Sequence, residues 1–130
     1  MLCLYEHLRD ELVALPDHSM ILLRAAKDGT PQLFEALASR IAGVLGIQVV
    51  WFTPEGHGRE SVFFRDYRLV EAADALVAYF DSARIMDGGT GHVVEAALNR
   101  EVPVTAWSVG HTTFERIGEV ELSDLIGQEA

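Results

Sequence analysis

Five consecutive residues, Gly88-Gly89-Thr90-Gly91-His92, lie in the link that follows an apolar run and directly precede Val93-Val94-Glu95-Ala96-Ala97-Leu98. Glycines allow the backbone to come close to a ligand. The N–H groups of a helix that starts here, helped by the helix dipole, attract an anion. Thr90 can cap that helix or bond a phosphate oxygen, and His92 in its first turn can donate to an anion. A strand-to-helix turn with no ligand would use the same residues.

Other charged residues extend this chemistry. Arg59, Arg65, Arg68 and Arg84 are four of the ten basic residues, and all lie between the second predicted strand and the glycine segment. Arg65 and Arg68 are one helical turn apart near a helix start, where the dipole disfavours cations, so they either serve an anion or pair with Glu60, Asp66 and Glu71. Glu95 stands one turn into the helix after the glycines. A carboxylate there can bond ribose hydroxyls or stabilise an oxocarbenium ion, or simply suit the helix N-terminus. Asp81 ends the apolar run at the edge where a ligand would lie, and Lys27 sits in the loop after the first predicted strand. The five histidines form no HxxxH-type pair and Cys3 is the only cysteine, so neither a metal site nor a disulfide is expected. There is no nucleophile elbow, no P-loop lysine and no G-x-G-x-x-G after a strand, and no cofactor is implied.

The elements that must position these residues follow from periodicity. Leu4, Leu8, Leu12 and Leu15 have helical spacing up to Pro16. Met20–Leu23 is a short apolar strand. Thr30 is the expected N-cap of a helix with Pro31 in first position, carrying Leu33, Phe34, Leu37, Ile41 and Val44 and ending at Gly46. Ile47–Phe52 is a β-branched and aromatic strand. A helix over about 61–73 precedes the strand Ala73–Asp81, and a helix over about 91–100 precedes the strand Val102–Trp107. Residues after about 112 read as a peripheral tail with an edge strand or hairpin near Gly118.

Strands alternating with helices imply parallel strands joined by crossovers, with helices on both faces and ligands beyond the carboxyl ends of the strands. The loops after Leu23, Phe52 and Asp81 are therefore expected to share one edge. With 130 residues, nearly half of them apolar, the chain fits one α/β domain. Its net charge of −10 argues against broad nucleic-acid binding and against an anionic membrane, while leaving room for a small anion held by local donors. The N-terminus lacks the basic and apolar regions of a signal peptide, and a cytoplasmic location is expected.

Arg65-Asp66-Tyr67-Arg68-Leu69-Val70, Ala73-Asp74-Ala75-Leu76-Val77-Ala78-Tyr79-Phe80-Asp81, Gly89-Thr90-Gly91-His92 and Val102-Pro103-Val104 together resemble the SLOG superfamily, in particular its small nucleotide-binding branch of bacterial and phage proteins. The resemblance covers roughly residues 60–107. It implies a three-layer Rossmann-like parallel sheet and a nucleotide or nucleoside phosphate at Gly88–His92, with Arg65 assisting and Glu95 or Asp81 near the ribose. The lonely-guy phosphoribohydrolases of the superfamily cleave nucleoside monophosphates with an arginine, at the position of Arg65, and a glutamate. Glu95 is that glutamate if Gly88–His92 is aligned as Gly-Gly-x-Gly-Thr; aligning Gly89-Thr90 with the Gly-Thr pair puts Val93 there instead. The first family strand is missing or shortened to Met1–Tyr5, and one glycine remains in Ala25–Gly29. These departures favour binding or sensing, with N-glycosidic hydrolysis and a protein-interaction module as alternatives. A homodimer partner is one way to complete the pocket, and Phe63, Phe64 and Tyr67 supply aromatic surface for it.

Overall fold

The structure is a computed structural model of the chain that describes residues 2–81, 88–109 and 114–119. It is a mixed α/β protein whose strands form two small hydrogen-bonded sheets. By internal packing the chain divides into two compact units, Met1–Arg65 and Asp66–Ala130.

The first unit begins with helix α1 (Leu2–Val13) and contains strand β1 (Met20–Arg24), helix α2 (Leu33–Leu45) and strand β2 (Gln48–Phe52). β1 and β2 pair in parallel from Met20↔Gln48 to Arg24↔Phe52. The connection between parallel strands must return the chain to its starting edge, and α2 is that return. Its apolar stripe buries Ala38, Ile41 and Ala42, at i, i+3 and i+4, and the helix packs on both strands and on α1. Gly46 ends it in the left-handed conformation (φ 75°), its N–H and that of Ile47 closing on Gly43 and Ala42 carbonyls, so the expected stop is found.

The expected start is not. Gln32, not Thr30, occupies the N-cap, and it makes no side-chain capping bond. Thr30 instead belongs to the preceding turn, where Asp28 Oδ1 accepts its N–H at 2.9 Å. An aspartate two residues upstream competes for that backbone donor and folds the loop on itself before the helix begins.

Helix α3 (Arg59–Ala72) starts in the first unit and ends in the second. Strand β3 (Leu76–Asp81), helix α4 (Gly88–Asn99) and strand β4 (Val104–Val109) make a second strand–helix–strand unit, parallel from Leu76↔Val104 to Asp81↔Val109. The paired residues have the same sequence offset as in the first unit. Strand β5 (Phe114–Glu119) adds antiparallel to β4, with an irregularity at Ala106/Trp107, which is the edge strand expected near Gly118. α4 packs on β3 and β4. The core here is Ala78, Phe80, Val93, Val94, Ala96, Ala97, Val104 and Ala106; Phe80 and Val94 are among the largest fully buried side chains. Pro103 lies one residue before β4, and its carbonyl accepts the Leu76 N–H at 2.9 Å, so the missing donor costs the ladder nothing.

The glycine segment is helical. α4 begins at Gly88, about three residues earlier than the periodicity predicts, and Gly88–His92 form its first turn and a half. Apolar periodicity is silent over residues that have no side chain, so the reading starts the helix only where valines appear. No described helix is long and apolar enough to cross a membrane. Residues 2–5, where the resemblance left a first strand either missing or shortened, belong to helix α1.

Candidate functional site

The parallel pairing of β1 with β2 brings the loops after both strands to one edge of their sheet, as expected for the loops that follow Leu23 and Phe52. The ladder continues one step past the strands, with the Ala25 N–H bonded to Phe52 O at 3.0 Å. Beyond it the loops enclose an open cleft of about 340 Å³ lined by Ala26, Lys27, Pro54, Gly56–Gly58, Ser61, Val62 and Arg65.

Local chemistry shapes the first loop. Ala26 N–H bonds Thr30 O, Gly29 N–H bonds Ala26 O, and the Asp28 carboxylate takes the Thr30 N–H. The Thr30 backbone N–H, and then its hydroxyl, hold the Asp28 carboxyl below the usual carboxylate range. Lys27 is thus displayed from a tight turn. Its ammonium donates to Gly56 O at 2.6 Å and to His57 Nδ1 at 3.0 Å, reaching across to the second loop. An ammonium has no acceptor capacity, so the imidazole nitrogen that it meets must be the unprotonated one.

The second loop needs glycine. Gly56 (φ 91°) and Gly58 (φ 82°) are both left-handed, on either side of His57, and helix α3 starts at the next residue. Gly58 O accepts both the Ser61 hydroxyl at 2.6 Å and the Ser61 N–H at 3.3 Å, which closes the first turn. Arg65, one turn further on, is buried, and its Nη1 donates to Ala25 O at 3.2 Å. The cleft therefore combines a lysine, a histidine, a buried guanidinium and the N-terminal turn of a helix. That combination suits an oxyanion such as phosphate.

A second group of side chains stands in residues 66–130. Asp66 is 1 % exposed, and its Oδ2 lies 3.2 Å from His92 Nδ1. The Tyr67 ring is tilted against that of His92, with centroids 5.6 Å apart. On α4, His92, Glu95, Ala96 and Asn99 follow the i, i+3, i+4, i+7 pattern of one helix face, and together with Tyr67 and Arg100 they line a groove of about 380 Å³.

Of the residues singled out in the sequence, Lys27 and Arg65 line the first cleft, and His92 and Glu95 line the groove on α4. Gly88, Gly89, Thr90 and Gly91 form the first turn of α4, and Asp81 is the last residue of β3, paired with Val109. Arg84 and the rest of the loop after Asp81 lie outside the described residues. No group of three or more potential metal ligands occurs among the described residues.

Sequence reasoning missed His57 and Ser61 in the first cleft and Asp66, Asn99 and Arg100 in the second. The first omission was avoidable: Gly56-His57-Gly58 is also a glycine-bearing link from strand to helix, the pattern used to single out Gly88–His92. The Asp66–His92 pair joins residues 26 apart in sequence, and no local pattern announces it.

No family model, curated protein or solved structure matches the chain.

Proposed function

We propose that the chain binds a small phosphate-bearing molecule of the nucleotide or nucleoside-phosphate class, in a Rossmann-like α/β protein of SLOG type. The observation that carries this reading is the cleft at the carboxyl edge of β1 and β2, where Lys27 bridges two loops beside the left-handed Gly56 and Gly58, the start of α3 and Arg65. Open parallel sheets take ligands at this edge, and helix starts take phosphates. Lys27 uses two of its three donors on Gly56 and His57, leaving one for a ligand oxygen. The first turn of α4, Gly88–His92, is the other helix start to which the family resemblance assigns a phosphate. Its chemistry is less favourable, because the nearby groove carries the carboxylates of Asp66 and Glu95 as well as Arg100.

The test is calorimetry of the full chain against nucleoside monophosphates, ADP-ribose and dinucleotides. Saturable binding that Lys27→Met weakens supports the β1–β2 edge. Binding weakened by Thr90→Val and untouched by Lys27→Met moves the phosphate to α4. No binding to any member of the panel overturns the proposal.

A further inference from the structure

The contact between Lys27 and His57 sets a condition on protons. Lys27 Nζ donates to Gly56 O at 2.6 Å and lies 3.0 Å from His57 Nδ1. An ammonium and a protonated ring nitrogen both donate and neither accepts, so the second contact forms only while one of the two nitrogens lacks a proton. With Lys27 as the ammonium, that nitrogen is His57 Nδ1. The pair as it stands thus holds fewer protons than its two basic groups can carry.

Both residues line the β1–β2 cleft, and His57 is exposed between the left-handed Gly56 and Gly58. A sulfate or phosphate oxygen accepts hydrogen bonds. Protonating Nδ1 ends its hold on the Lys27 hydrogen, so the cleft gains two donors at once, that hydrogen and the new Nδ1–H. Two neighbouring cations repel each other, and a dianion between them offsets the repulsion. Binding the anion and protonating the pair therefore favour each other, and the coupling is reciprocal. The charged groups around His57 are Lys27 and Arg65 in the cleft, Glu55 in its own loop, Arg59 and Glu60 at the start of α3, and Asp28 beside Lys27. Of these side-chain types, imidazole is the one that ordinarily changes charge between about pH 5 and about pH 8.

We infer that an oxyanion enters this cleft together with a proton taken up by the Lys27–His57 pair, so that affinity rises as pH falls through the imidazole range. The inference rests on the reading of the cleft as a phosphate site and makes His57 the residue that sets its pH dependence. Uptake of one proton can strengthen binding by at most about tenfold for each pH unit lost.

The experiment is an NMR titration of the full chain with inorganic sulfate at fixed ionic strength, at about pH 8 and about pH 5.5, read at the backbone amides of Lys27 and Gly56–Gly58. Phosphate esters lose their second proton at about pH 6, inside this window, whereas sulfate stays a dianion throughout it. The wild type should bind sulfate at least about threefold more tightly at the lower pH. His57→Gln should flatten that rise, because the amide oxygen still accepts from Lys27 and takes up no proton. Sulfate bound equally at both pH values, or a full rise that persists in His57→Gln, overturns the inference and leaves the phosphate reading standing. No saturable shift with sulfate at either pH also overturns it, and the nucleoside-phosphate panel then decides the phosphate reading separately.

Discussion

Lys27 is the side chain on which the phosphate reading turns. It is exposed on a turn already closed by the Asp28 carboxylate and the Ala26–Thr30 backbone bonds, so little loop entropy is lost when a ligand arrives. Replacing it with methionine keeps the stem and removes the charge. The expected loss is about 1.5–3 kcal/mol of binding, the worth of a hydrogen bond to a charged group, read as a 10- to 150-fold rise in Kd by calorimetry. A second residue-scale expectation concerns stability. His7 on α1 is partly buried, and burial holds its imidazole below its ordinary value, with Glu11 and Asp10 opposing. The folded state therefore binds fewer protons at this site than the unfolded chain. Stability is fully present above the ordinary imidazole range and is lost as pH falls from there toward the folded value. Urea midpoints between about pH 8 and about pH 5 should decline less steeply for His7→Gln than for the wild type.

At the scale of elements, both strand–helix–strand units were legible because their strands are short apolar runs and their helices carry clear stripes. Ala38, Ile41 and Ala42 show why: apolar residues three and four apart point one way on a helix and must be buried. The helix starts were less legible, for two physical reasons. Asp28 diverts the Thr30 N–H into a turn, and the glycines of α4 carry no hydropathy. Of the candidate site, Lys27 could be named because it lies in a loop at a shared sheet edge, and Arg65 because the dipole near a helix start does not favour a cation. His57 and Ser61 could have been named from the Gly56-His57-Gly58 link, whereas Asp66 with His92 could not. The left-handed glycines give an element-scale prediction. An alanine at Gly58 meets no neighbour, so the only cost is backbone strain at φ 82°, about 1–2 kcal/mol. Relief of that strain would reshape the link, and Gly58→Ala should lose phosphate-ligand affinity in calorimetry while its urea midpoint falls only modestly. Phe80→Ala in β3 should behave in the opposite sense. It empties a fully buried position and should cost about 3–5 kcal/mol of stability by chemical denaturation.

For the whole molecule, charge and architecture together narrow the ligand. A net charge of −10 repels polyanions at long range, yet the described basic groups at the β1–β2 edge collect where a helix begins. A small anion can be drawn into such a spot when an extended one is not, so affinity for the phosphate ligand should be salt-sensitive while mixed-sequence DNA gives no saturable binding. Within the units Met1–Arg65 and Asp66–Ala130, the first carries a cleft beyond β1 and β2 that includes Lys27 and Arg65, and the second a groove on α4 that is mixed in sign. The measurement that tests this account most directly is calorimetric titration of the intact chain and its Lys27→Met variant with the nucleoside-phosphate panel. The account predicts one-site saturable binding to at least one member, weakened at least tenfold in the variant. Heats indistinguishable from dilution for the whole panel, or equal affinity in wild type and variant, would contradict it.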